Sequence, residues 1–256
     1  MISAAEVWLA FLALFAAIML VRDLRAHPAS APEPDLRPIP AYDTIRGSMA
    51  IAAEEGLPIH LSLGTAGIAD PFAMETVAAL STLEFLSEQA AMTANLPLVS
   101  TASPTTLVLA QEVLSRPFRA RAQMAEFDPL SVRFIGGAGD ASGVAYAAGV
   151  IDLLDHRYVS ANFMQGRFGD EYLLMGEVGA RNNIVQVAGT ANVDALPAML
   201  VTAGDVLIGE DVFAAGAYLL RAPWHLAGLS AQDSARWLIA GAGLALVALK
   251  TLGFLP

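Results

Sequence analysis

Two apolar stretches bracket this chain, residues 2–21 and 237–255, and each carries arginine on its inner side: Arg22 and Arg25 after the first, Arg236 before the second. A helix that crosses a bilayer needs about 20 apolar residues, because the hydrocarbon core is roughly 30 Å thick. Residues 2–21 reach that length with one acid, Glu6. A cleaved leader would want a basic start, and the Ala29-Ser30-Ala31 motif lies well beyond the apolar run, so an uncleaved anchor is expected. The second stretch follows Ser230-Ala-Gln-Asp233, which fits a capping box with Asp in place of the usual Glu or Gln. A helix from about Ala231 to Leu252 would be some 33 Å long. Trp237 would sit in the interfacial belt and Lys250 would snorkel to the far headgroups. A buried core helix is the competing reading of the same residues.

The arginines set an orientation. Arg22, Arg25 and Arg37 follow the first stretch, and Arg221 and Arg236 precede the second. Positive residues stay on the cytoplasmic side, which puts the central domain in the cytoplasm and both termini outside. The expected layout is a transmembrane helix at 1–22, a linker at 23–42, a cytoplasmic domain at 43–229 and a second transmembrane helix at 230–256. The 55% hydrophobic content suits two spans plus one such domain. Cysteine is absent, which excludes disulfides, thiolate nucleophiles and Cys-ligated zinc. The net charge is −11 and Lys250 is the sole lysine, so nucleic acid is excluded as a partner.

Pro28, Pro32, Pro34, Pro38 and Pro40 make the linker an extended spacer. Asp43 is placed to cap a short helix that ends before Gly56. Beyond it, short apolar runs alternate with helical stretches. The runs are Ile59–Leu63, Leu96–Ser100, Val132–Ile135, Tyr158–Met164, Ile184–Ala188 and Val206–Ile208, near-continuous as in strands buried on both faces. Asp70-Pro71 and Ser103-Pro104 each set a capping side chain before a proline at the first helical position. Phe72, Ala79, Leu83, Leu86 and Ala90 form one helical stripe, and Val144, Ala148, Ile151 and Leu154 another. Gly204 has the place of a helix-ending glycine. The alternation predicts an α/β, Rossmann-like, mostly parallel sheet with helices on both faces, flanked by the two transmembrane helices.

Leu63-Gly64-Thr65-Ala66-Gly67-Ile68-Ala69-Asp70, Gly209-Glu210-Asp211-Val212-Phe213-Ala214-Ala215-Gly216-Ala217-Tyr218 and the junction from Gln232-Asp233 to Arg236-Trp237 resemble an uncharacterised bacterial membrane-protein family, a domain of unknown function. The resemblance covers most of the chain beyond the linker. It implies the two-anchor layout at a bacterial inner membrane and an α/β body, and transfers no activity and no site residues.

The best candidate constellation is Val132-Arg-Phe-Ile-Gly136-Gly137-Ala138-Gly139-Asp140-Ala-Ser142-Gly143, which reads as strand, glycine-rich turn and helix. Glycines let a backbone approach a phosphate, and a helix N-terminus supplies free N–H groups. The spacing is one residue longer than G-x-G-x-x-G, and Asp140 sets negative charge where a pyrophosphate would lie; a tight turn capped by Asp140 is the simpler reading. With no G-K-[ST] sequence, P-loop chemistry is excluded. The other strand ends offer Thr65, Thr101 and Ser103, Gln165 and Arg167, Thr190 and Asn192, then Glu210 and Asp211. Ligands of open α/β sheets bind outside such ends. Gly64-Thr65-Ala66 and Gly189-Thr190-Ala191 echo one another.

Glu210, if buried, could serve as a general acid, although acids suit a first helical turn in any case. Asp152, Asp155 and His156 share a helix face and could hold a metal, but solvated helix-end groups are far commoner, and no metal is expected. Arg116, Arg119 and Arg121 form the one basic cluster of the domain. No catalytic set emerges. Gly136, Gly137, Gly139, Asp140, Ser142, Thr65, Thr190 and Glu210 remain as candidate ligand-binding residues, for a cofactor or ligand of unknown identity. The leading functional expectation is a membrane-held, non-enzymatic scaffold that self-associates or binds a membrane partner protein. The alternative is a tethered domain that binds or transforms a nucleotide-like ligand.

Overall fold

The computed structural model describes residues 13–18, 20–21, 36–136, 142–156 and 159–252. They divide into two compact units, Pro38–Leu220 and a terminal unit drawn from the two ends.

The Pro38–Leu220 unit begins with helix α1 (Pro40–Glu55), entered through Pro40 in the first turn and closed by Gly56 at φ 65°. The expected linker therefore stops short of Tyr42, and Asp43 lies inside the first turn rather than capping it. Six strands follow: β1 (Ile59–Gly64), β2 (Leu98–Thr101), β3 (Val132–Phe134), β4 (Ala161–Arg167), β5 (Val185–Thr190) and β6 (Asp205–Ile208). Between them lie α2 (Ala73–Thr93), α3 (Pro104–Ala120), α4 (Ser142–His156), α5 (Tyr172–Arg181) and α6 (Leu196–Thr202). All strand pairs are parallel, in the order β3-β2-β1-β4-β5-β6. β1 and β2 are buried at every position, as the near-continuous apolar runs require.

The order follows from right-handed crossovers. The chain steps one way through β1, β2 and β3, placing α2 and α3 on one face, then returns to the other side of β1, placing α4, α5 and α6 on the opposite face. On that second face Tyr146, Val150 and Leu154 of α4 and Tyr172 and Met175 of α5 pack with Met164 and Ala188 of the sheet. The first face would stay open over β5 and β6, and α1 covers it together with a 3-10 turn at Gly209–Ala214 and α7 (Ala215–Tyr218). Tyr42 of α1 fixes this lid: its hydroxyl donates to the Asp211 carbonyl at 2.6 Å, and its ring stacks on Tyr218 at 5.1 Å.

Several local expectations are corrected. Ser103 does accept from the Thr106 N–H, at 3.5 Å, and Pro104 opens α3. Asp70, by contrast, caps nothing: α2 starts at Ala73, and the Asp70 carboxylate turns back to the Gly67 N–H. The α2 stripe is buried at Ala79, Leu83, Leu86 and Ala90, while Phe72 before it is half exposed. In α4 the buried face is Tyr146, Ala147, Val150, Leu153 and Leu154; Val144 is exposed, because the Tyr146 hydroxyl finds partners inside the sheet face. Gly204 is not a left-handed cap; α6 ends at Ala203 in extended conformation. The segment after Glu210 and Asp211 is a 3-10 turn and one short helix, not a continuous helix.

In the terminal unit, residues 13–18 and 20–21 are helical. The long helix α8 runs from Pro223 to Thr251, so it begins eight residues before the expected start, with proline in its first turn. Ser230 and Asp233 thus lie inside the helix, and no capping box forms; the Ser230 carbonyl instead accepts from the Ser234 hydroxyl at 2.9 Å. Among the described residues no helix is long and apolar enough to cross a membrane. Arg236 and Lys250 bound the apolar part of α8 at a separation of about 21 Å along the axis, well short of the hydrocarbon thickness. Most of the first apolar stretch lies outside the described residues.

Candidate functional site

Strand order reverses between β1 and β4, and the crossovers leaving these two strands diverge to opposite faces. A crevice must open outside their carboxyl ends. The structure has a cleft of about 520 Å³ there, whose walls include Thr65, Asp70, Phe72, Gly143, Arg167 and Glu171. Ser142, the first residue of α4, stands on its rim.

The cleft floor depends on glycine. The β1–β4 register shifts between Ser62 and Gly64, and Gly64 and Gly166 adopt φ of 79° and 144°. A Cβ at Gly64 would lie 2.5 Å from the Arg167 carbonyl oxygen, so only glycine permits this approach. The same carbonyl accepts from the Thr65 N–H at 2.9 Å and the Thr65 hydroxyl at 3.0 Å.

The Arg167 side chain is held as tightly as its backbone. Its guanidinium donates to Glu75 at 3.4 Å and lies 3.8 Å above the Phe72 ring. Glu75 is 4% exposed and also accepts from the Thr190 hydroxyl and the Ala191 N–H, each at 2.9 Å. One carboxylate thereby joins α2, β4 and the end of β5. The remaining wall acids are tied to backbone: Asp70 accepts from the Gly67 N–H and Glu171 from the Gly169 N–H. The arrangement is a pre-positioned cation flanked by carboxylates, suited to binding a polar ligand.

Beneath the cleft, on the face of α4 to α6, a row of polar side chains crosses the sheet. His60 meets Asn162 through Nδ1 at 2.7 Å and Ser100 through Nε2 at 2.9 Å. Asn162 donates to Gln186 at 2.9 Å, and Gln186 donates to the Gly176 and Thr202 carbonyls at 3.0 and 2.8 Å. The Tyr146 hydroxyl joins Ser100 at 2.9 Å and Ser62 at 2.5 Å. Burial lowers the His60 pKa to about 4, against a smaller opposing effect of the Asn162 bond. Burial raises Tyr146 to about 12. The row is a satisfied structural network.

Of the residues expected to bind a ligand, Thr65 and Ser142 line the cleft, and Thr190 stands behind it on Glu75. Gly136 follows edge strand β3, where the Phe134 ring occupies the place a Cβ would take. Gly137, Gly139 and Asp140 lie outside the described residues. Glu210 follows β6, two strands from β4, and is exposed, which removes the premise for a general acid. His156 bonds to its own helix at the Asp152 carbonyl and Asp155 to Asn182; no metal-binding cluster occurs among the described residues. Arg116, Arg119 and Arg121 pair with Glu84, Glu112 and Glu88 on the surface. Glu75 and Glu171 were not among the candidates. Glu75 reads in sequence as an ordinary first-turn acid, and its partners lie 92 to 116 residues away.

Fold and cleft together define a Rossmann-like α/β domain with a polar crevice at its topological switch point. The chain belongs to the family described as domain of unknown function DUF6754, which matches residues 1–255. No curated protein and no solved structure matches it.

Proposed function

We propose that the Pro38–Leu220 unit binds a small molecule in the cleft outside the carboxyl ends of β1 and β4. Arg167 carries this reading. Among the described residues its side chain makes one N–H···O bond, to Glu75, so most of its five N–H groups have no protein acceptor there, and the residue lines the cleft. A buried carboxylate, an aromatic face and a backbone clamp all serve to hold that guanidinium still. The full chain is to be screened by thermal unfolding against mononucleotides, dinucleotides, sugar phosphates and amino acids. At least one class should raise Tm as ligand linkage requires, and Arg167→Ala and the rim variant Ser142→Tyr should lose the shift. A shift that survives both variants, or none from any class, refutes the reading.

The two ends support a second reading: a bilayer tether that keeps this domain cytoplasmic and both termini outside. In α8, Trp237 is 80% and Val247 65% exposed, and Leu238, Ile239 and Leu244 are each at least half exposed. Successive positions differ by about 100°, so apolar surface extends round the helix, which is the pattern of a helix covered by lipid or protein. Arg236 and Lys250, about 21 Å apart along the axis, would have to snorkel across a locally thinned bilayer to reach the two interfaces. Held there, the domain would act as a scaffold for a membrane partner or a second copy of itself. Release by alkaline carbonate, or a C-terminal reporter active in the cytoplasm, counts against the tether; a strictly monomeric mass in mild detergent counts against self-association.

A further inference from the structure

We infer that the ligand of this cleft is a small zwitterion, with its carboxylate on Arg167 and its ammonium group toward Asp70 and Glu171; the inference rests on the switch-point cleft being a binding site. Among the described residues, the charged groups lining the cleft are one guanidinium and two carboxylates. Glu75, directly behind, already balances the guanidinium at 3.4 Å. The cleft therefore carries net negative charge from Asp70 and Glu171. A phosphate or pyrophosphate would bring about two more negative charges into that field, and like charges held close repel. A purely cationic ligand would leave the N–H groups of Arg167 without an acceptor. A molecule with both charges satisfies both the guanidinium and the carboxylates.

The acids are set for this. Asp70 and Glu171 each engage a backbone N–H, of Gly67 and Gly169. Those bonds fix the carboxylates in place and leave further lone pairs for a donor. Asp70 stands on the loop after β1 and Glu171 just before α5, so the two acids come from the two halves of the fold. Arg167, at the end of β4, faces the same cleft. The Phe72 ring lies against the guanidinium, so it stiffens the carboxylate-binding end rather than offering a stacking face for a base there.

The test uses the full chain in mild detergent and measures Kd for neutral L-amino acids, for the matching amines without a carboxylate, for the N-acetyl acids without an ammonium group, and for AMP and inorganic phosphate. The amino acids should bind, and each singly charged analogue should bind at least roughly tenfold more weakly, because each loses a charge-assisted hydrogen bond. Arg167→Gln should weaken the amino acids to the level of the amines, and Asp70→Asn with Glu171→Gln to the level of the N-acetyl acids. Circular dichroism and an unchanged unfolding transition establish that each variant is folded; should Arg167→Gln fail this, the two acid variants alone decide. AMP or phosphate binding more tightly than every amino acid, and losing affinity in Arg167→Gln, overturns the zwitterion while the cleft stands as a binding site. Silence from every probe overturns both.

Discussion

The Glu75 carboxylate lies 3.4 Å from Arg167 Nη1, across 92 residues of sequence, with 4% of Glu75 exposed. Its other oxygen takes the Thr190 hydroxyl and the Ala191 N–H. A glutamine of the same shape cannot serve all three donors, because its amide would face either the guanidinium or the β5 end donor to donor. Glu75→Gln should therefore cost about 2 kcal/mol in urea unfolding at neutral pH. Arg167 is partly solvated and can be rehydrated, which keeps the loss below that of a fully buried pair. The double variant Glu75→Gln/Arg167→Gln should lose less than the two single losses added together, by about 1 kcal/mol.

His60 makes stability pH-dependent. Asn162 directs its carbonyl oxygen at Nδ1, so Nδ1 carries the proton and Nε2 accepts from Ser100. Protonating Nε2 would set a donor against Ser100 and charge a fully buried ring. The folded-state pKa of about 4 lies below the ordinary histidine value of 6.5. Between these values the unfolded chain binds the extra proton, so stability rises with pH. The contribution is complete above the unfolded value and is lost as pH falls through the folded one, by about 3 kcal/mol in all. The stability gap between the native chain and His60→Asn should shrink by that amount over the window, as read by urea unfolding at a series of pH values. A constant gap would mean that His60 does not titrate differently in the two states.

The six strands were legible in the sequence because strands buried on both faces leave unbroken apolar runs. The alternation with helices made the parallel sheet follow. The switch point was not legible: strand order depends on which face each crossover helix takes, and no short stretch of residues encodes that. The polar row was written into the same runs, since His60 and Ser62, Asn162, and Gln186 all fall on one side of the period-2 alternation. Polar residues at matching depth in several apolar strands are a usable signal for such a network. The place of Thr65 and Arg167 on the cleft was legible because they lie at strand ends, and that of Ser142 because it opens the helix after the glycine-rich turn. Glu75 was not, because only folding brings α2 against the ends of β4 and β5.

Tyr42 joins α1 to the segment after β6. Its hydroxyl donates to the Asp211 carbonyl at 2.6 Å while its ring stacks on Tyr218. Tyr42→Phe removes the bond and keeps the stack, so it should cost about 1 kcal/mol. Tyr42→Ala also empties a fully buried ring site and should cost about 4 kcal/mol. Equal losses in thermal and urea unfolding for the two variants would show that the hydroxyl, and not the ring, holds the lid.

Two glycines should respond to alanine with opposite signs. Gly64 sits at φ 79°, and an added Cβ would meet the backbone of Arg167, which cannot move aside without breaking the Thr65 clamp. Gly64→Ala should cost about 3 kcal/mol and weaken whatever occupies the cleft, since the clash falls on its floor. Gly47 lies within α1, exposed, with nothing inside 4 Å of the new methyl. There alanine only narrows the unfolded ensemble and improves helix propensity, so Gly47→Ala should stabilise by about 1 kcal/mol without touching ligand binding. Chemical unfolding of the two variants side by side separates the readings: a tolerated Gly64→Ala would mean that β1 and β4 can part at their carboxyl ends and that the cleft floor is not fixed by this contact.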